Sequence, residues 1–196
     1  MITISRAFLS AVLLILLAMI PAQAGMSPEE VRSFDANKQK AEKGDPVAQY
    51  WVGFFYQHGL GISKSFVQSV IWYRKAAAQD NSDAQYCLGC YYYSGEEIAK
   101  DLPLAFSLFL KAANQGHPSA QFSVGFCYAN GEGTPKDDTE AYAYYNLAGA
   151  TQEFARKNLA LLENKMTREE IIAGQKRTKE LHKEIEARIA GKNATK

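Results

Sequence analysis

The 196-residue chain carries 22 lysines and arginines against 21 aspartates and glutamates, with three cysteines and 12% aromatic residues. That balance gives no electrostatic footprint for DNA or RNA, and no basic run suggests an anionic membrane surface. Three cysteines in a chain of this length do not make the framework of a small disulfide scaffold.

The first segment reads as an export signal. Arg6 precedes an apolar run from Ala7 to Ile20, and Ala22-Gln23-Ala24 has the small-x-small pattern of a cleavage site. The run is short for a bilayer span and no stop-transfer segment follows it. Residues 1–24 are therefore expected to be removed after Ala24, and no cysteine at that junction offers a lipid anchor. The mature chain is expected in the periplasm or outside the cell, with no membrane anchor after processing. Without Arg6 the 21 acidic residues are balanced by as many basic ones. About 170 residues remain, enough for one domain with a substantial core.

Ser27-Pro28-Glu29-Glu30 spells a capping box with proline at the first helical position, and opens a polar helix to about Lys43. We assign residues 25–44 to an N-terminal capping helix. Beyond it the chain repeats itself. "AQYWVGFFYQHGLG" at 48–61 returns as "AQYCLGCYYYSGEE" at 84–97 and as "AQFSVGFCYANGEG" at 120–133, a period of 36 residues.

Each copy, at 45–80, 81–116 and 117–150, reads as two helices around a glycine-broken turn. Asp45, Asn81 and His117 precede the first helix, with Pro46 and Pro118 in its first turn. Gly59, Gly95 and Gly131 fall just past its end, where a left-handed cap belongs. Ser65, Asp101 and Asp137 open the second helix, and Ser65 with Gln68 and Asp137 with Glu140 spell capping boxes. That helix carries Tyr73, Phe109 and Tyr145, followed by the small pairs Ala76-Ala77, Ala112-Ala113 and Ala148-Gly149, which allow close helix approach. Glu97 stands where the other copies have Gly61 and Gly133. A turn that needs positive φ there would be strained by Glu97, so Glu97→Gly is expected to stabilise.

Thr151 to Lys165 reads as a further amphipathic helix, and Thr167 with Glu170 caps a long polar helix towards Ile189. Residues 151–190 thus form C-terminal capping helices covering the last exposed face of the array, and 191–196 are expected to be disordered. Nothing reads as a strand.

The thiols leave two readings open. Cys87-Leu88-Gly89-Cys90 spells C-x-x-C, but mid-helix, away from the strand-to-helix junction of a redox motif, and no fourth ligand is near for zinc. Cys87, Cys90 and Cys127 are then apolar packing thiols, or Cys90 and Cys127 pair between repeats. His58, His117 and His182 fall on a turn, a cap and a terminal helix with no acidic partner in the sequence pattern, and read as solvated surface histidines. No S-x-x-K, H-E-x-x-H or G-x-S-x-G occurs. Gly131-Glu132-Gly133-Thr134-Pro135-Lys136 resembles a phosphate loop but follows no strand. The chain is read as a non-enzyme with no cofactor and no metal.

The pattern A-x-x-G-D-x-x-A-Q-x-x-x-G-x-x-Y-x-x-G-x-G, then aromatic-x-K-A-A, resembles the Sel1-like repeat, a relative of the tetratricopeptide repeat. The first copy carries it on Gly44, Asp45, Ala48, Gln49, Gly53, Tyr56, Gly59 and Gly61, then Trp72-Tyr73-x-Lys75-Ala76-Ala77. The resemblance implies an all-α, superhelical solenoid with a concave and a convex face. Helical spacing assigns one set of residues to the core: Val52, Gly53 and Tyr56, Leu88, Gly89 and Tyr92, Val124, Gly125 and Tyr128. By the resemblance, positions two before and one after each buried apolar-Gly pair face the concave groove. These are Tyr50, Phe54, Tyr86, Cys90, Phe122 and Phe126, joined a turn later by Gln57, Tyr93 and Ala129. Such an aromatic column is either a protein-binding surface or packing between repeats.

The resulting expectation is an exported, monomeric protein-interaction module that binds a protein partner as an envelope or secretion adaptor. The family also implies an alternative, a periplasmic immunity protein neutralising a secreted phospholipase-type toxin. A hydrolase is the reading from another class.

Overall fold

A computed structural model describes residues 27–194; the expected signal segment lies outside the described residues. Nine helices and no strand occur among the described residues: α1 (Pro28–Glu42), α2 (Pro46–His58), α3 (Phe66–Ala77), α4 (Ser82–Ser94), α5 (Leu102–Ala113), α6 (Pro118–Asn130), α7 (Asp138–Gly149), α8 (Glu153–Glu163) and α9 (Arg168–Ala194). The chain forms two compact units, divided inside α3 between Trp72 and Tyr73.

Local chemistry sets the helix ends as the sequence implies. The Asp45 carboxylate accepts from the Val47 and Ala48 amides, Asn81 from Ala84, and His117 Nδ1 from Ala120. Each first helix stops at a left-handed glycine, with φ of 72° at Gly59, 71° at Gly95 and 72° at Gly131. The turn then closes the same way in every copy. The Ser65, Asp101 and Asp137 amides donate to the Tyr56, Tyr92 and Tyr128 carbonyls at 2.8, 2.9 and 3.0 Å.

Two capping boxes are complete, Ser27 with Glu30 and Thr167 with Glu170. Asp137 and Glu140 form half of one. Asp137 accepts from the Glu140 amide, but the Glu140 carboxylate turns away to Arg177 of α9 at 2.6 Å.

The strain expected at Glu97 is absent. Asp80 is the one non-glycine with positive φ among the described residues, at 59°. It stands where the other copies have Gly44 and Gly116, a conformation aspartate tolerates better than most side chains.

In the first unit Phe34 and Ala41 of α1 pack with Ala48, Val52 and Phe55 of α2 and with Trp72. The Phe34 ring meets Phe55 and Tyr56 edge-on at 6.1 and 5.5 Å, so the polar α1 spends its few apolar residues on covering the first repeat. In the second unit Phe109, Val124, Cys127, Tyr144 and Leu181 belong to one core cluster, and Tyr142, Tyr145 and Leu162 to another. Gly89 and Gly125 let rings press against helix backbone. An added Cβ would lie 2.5 Å from Phe109 and 2.8 Å from Tyr145.

The buried set departs from the expected one at its third position. Val52, Leu88 and Val124 are buried with their glycines, but Tyr56, Tyr92 and Tyr128 are only half-buried. The covered residues are one place earlier: Phe55, Tyr91 and Cys127. One residue is about 100° of helix, so a broad apolar stripe leaves neighbouring positions unresolved until packing selects one.

The glutamine of each copy is buried, and two of them tie helix ends together. Gln49 Nε2 donates to the Ala41 carbonyl at 3.2 Å, and Gln85 Nε2 to the Ala77 carbonyl at 3.3 Å. Gln121 is buried at the third equivalent position. These amides add a second donor to helix-end carbonyls that also accept the Gly44 and Asp80 amides.

Helix α9 extends past Ile189 to Ala194. Leu181 and Ile185 are buried, Gly174 takes the Tyr142 ring against its backbone, and Lys192 donates to Gln115 Oε1 at 2.7 Å. It therefore braces both repeats of the second unit.

Candidate functional site

None of the residues expected on the groove is buried. In the first unit Tyr50, Phe54 and Gln57 are half-buried along α2. Trp51, which the spacing argument passed over, is 41% exposed and edge-on to Tyr50 and Phe54 at 5.4 Å each. His58 lies over Phe54 with ring centroids 4.2 Å apart. This forms an aromatic patch on a single helix.

The second unit brings four of its six expected residues around one cavity of about 380 Å³. Cys90, Tyr93 and Ser94 come from α4, Phe109 from α5, and Phe122, Ser123, Phe126 and Cys127 from α6. Comparing the copies explains why space exists there. Cys90 is a thiol where the other repeats carry Phe54 and Phe126, and Cys127 is a thiol where they bury Phe55 and Tyr91. Two rings are missing from positions on α4 and α6 that line the same space, and the aromatic walls leave a void there. Cys90, expected either as a packing thiol or on the groove, is exposed and lines this mouth; Cys127 forms the buried wall.

All three thiols are free. Burial raises the pKa values of Cys87 and Cys127 to about 12, so both are protonated at neutral pH and suit apolar packing better than nucleophilic chemistry.

At the rim, the Tyr93 hydroxyl donates to Glu132 Oε2 at 2.5 Å, and Lys100 Nζ lies 5.7 Å from the Tyr93 ring centre. Desolvation and then the Glu132 carboxylate push the phenol up to about 12. Of the other two expected residues, Ala129 lines a neighbouring cavity, and Tyr86, a turn before Cys90, does not line this one. Its ring stacks on His117 at 4.8 Å and approaches Phe109 at 5.9 Å.

His117 itself is half-buried with an acidic partner, unlike the solvated histidine expected. Nε2 is 3.4 Å from Asp83 Oδ1, while Nδ1 accepts the Ala120 amide. That cap requires the neutral ring, and desolvation, outweighing Asp83, holds the pKa below its ordinary 6.5. A lowered folded pKa means the unfolded chain takes up the proton first. The contribution is complete above 6.5 and is lost as pH falls from there through the folded value. His117→Asn keeps a side-chain cap that does not titrate. Urea midpoints measured from about pH 7 to about pH 5 should decline less in His117→Asn than in the parent; equal declines refute the assignment.

No group of three or more His, Cys, Asp or Glu side chains that could hold a metal ion occurs among the described residues. What the cavity offers is shape and apolar surface.

Tandem helix-turn-helix copies with this cap and turn chemistry define a helical-repeat protein. A Sel1 repeat family profile matches residues 46–81, 82–117 and 118–150. The chain belongs to the Sel1 repeat family, and its fold is the all-α repeat solenoid. It is similar to the crystal structure of a Sel1 repeat protein from Oxalobacter formigenes, with 35% identity and a TM-score of 0.62 over 66% of this chain and 98% of that one. It also shares its fold with a protective antigen of uropathogenic Escherichia coli that displays an SLR fold, at 24% identity and a TM-score of 0.57. That match covers 83% of this chain and 43% of the antigen. No curated protein matches. Sel1 repeat proteins typically mediate protein–protein interaction, on a scaffold that is generally non-catalytic.

Proposed function

We propose that this chain is an exported adaptor that holds a protein partner by seating one large apolar side chain of that partner in the α4–α6 cavity. The observation that carries this is the cavity itself, an aromatic-walled void of about 380 Å³ lined by four residues of the expected binding face. Aromatic walls around a desolvated pocket are where binding energy concentrates. Export is supported by Arg6, the run Ala7 to Ile20 and Ala22-Gln23-Ala24, and no helix among the described residues is long and apolar enough to cross a membrane. N-terminal sequencing of the mature protein should start at Gly25; an intact Met1 in the membrane fraction argues for an anchor.

Cys90→Phe tests the cavity by filling it. The substitution puts back the residue that the other two copies carry, at an exposed position, so the fold should tolerate it. A photo-crosslinking residue at Ser94, on the cavity wall, should trap the partner in the parent background. Cys90→Phe should weaken that partner's binding by about 2 kcal/mol, roughly thirtyfold, with little change in melting temperature. Unchanged affinity in Cys90→Phe places the interface elsewhere.

A further inference from the structure

The cavity has a polar neighbour. A second cavity, of about 190 Å³, shares Phe126 with the first and is lined among others by Asn130, Lys136, Asp138, Asn158 and Lys165. Its charges do not cancel. Lys136 is held by Asp138 at 3.0 Å, whereas Lys165 makes no ion pair among the described residues. Asn130 and Asn158 each donate one amide N–H, to the Phe126 and Phe154 carbonyls at 2.9 and 2.8 Å. Their own carbonyl oxygens remain as acceptors for a backbone N–H.

Phe122, Phe126 and Asn130 follow one another at four-residue spacing on α6, so the apolar and polar ends are about 12 Å apart. An extended chain covers that distance in about three or four residues. Side chains two or four apart on such a chain point the same way.

We propose that the occupant of this surface is an extended segment of the partner whose apolar anchor fills the first cavity and whose acidic side chain, about four residues away, meets Lys165 in the second. This rests on the adaptor reading above and adds the partner's chemistry. Lys165 supplies the charge complement; the two carboxamides supply acceptors for the backbone between anchor and acid.

Selection of random peptides displayed on phage, fused through their C-termini so that only side chains supply carboxylates, tests it on the purified chain. The expected consensus is a large apolar residue with Asp or Glu about four positions away. In a selected peptide, Glu→Gln should weaken binding about two- to fivefold in low salt, as for an exposed ion pair. Against Lys165→Glu, an exposed change whose melting curve should match the parent, the same selection should favour Lys or Arg at that position. Apolar peptides with no acidic preference, or an acidic preference unchanged by Lys165→Glu, overturn this inference and leave the adaptor reading standing. Failure to enrich any peptide with an apolar anchor overturns both.

Discussion

Phe109→Ala should destabilise the protein by about 3–5 kcal/mol, lowering its melting temperature by roughly 6–20 °C, because it empties a buried site. The Phe109 ring is 3% exposed. It presses on the backbone of α4 at Gly89, where no side chain can shift inward to refill the space, and it approaches Tyr86 and Tyr93 at 5.9 and 6.4 Å. The same ring is the α5 wall of the cavity. Phe126 also lines the cavity but is only half-buried, so Phe126→Ala should cost about 1 kcal/mol and act mainly on binding. Thermal melting of the two variants separates wall from foundation. If Phe126→Ala melts as low as Phe109→Ala, the aromatic column is core and the binding face is misplaced. Tyr92→Ala should fall between them, since its half-buried ring is held at the surface by Arg74, 2.8 Å from the hydroxyl.

The second large effect is expected from a single added methyl group. At Gly133, φ is +75° and an added Cβ would lie 2.2 Å from the Leu102 carbonyl oxygen and 3.0 Å from the Pro103 nitrogen. Both obstacles are backbone at the start of α5, which cannot rotate aside. Left-handed strain costs about 1–2 kcal/mol and overpacking about 1–3 kcal/mol, partly offset by the stiffer unfolded chain. Gly133→Ala should therefore lose about 2–4 kcal/mol in urea unfolding. Gly131→Ala is the control: its φ of +72° is nearly the same, but its nearest obstacle is 3.6 Å away. It should carry only the conformational part, about 1–2 kcal/mol. Equal losses would mean that the turn yields and the close approach is not rigid. At the equivalent Glu97, where φ is not positive, glycine only loosens the unfolded chain. Glu97→Gly should cost up to about 1 kcal/mol, the opposite sign to that expected from the repeat pattern alone.

The helices, their caps, the left-handed turn glycines and the 36-residue period were all legible in the sequence. Asp45, Asn81 and His117 reach amides two or three residues away, and Gly59, Gly95 and Gly131 answer a local backbone demand. Such effects need no distant partner. The cavity was legible too, but only by asking which copies lack a ring: Cys90 and Cys127 mark it once the repeats are set side by side.

Tertiary packing decided the rest. It chose Phe55, Tyr91 and Cys127 over Tyr56, Tyr92 and Tyr128 for burial, turned Glu140 from its own helix to Arg177, and set Asp83 against His117. It also laid Phe126 of α6 and Lys165, in the turn after α8, around one cavity. In each case the deciding partner lies tens of residues away or on the adjoining helical position. Local propensity is blind to the first, and a period of 3.6 residues cannot separate the second on so broad an apolar stripe.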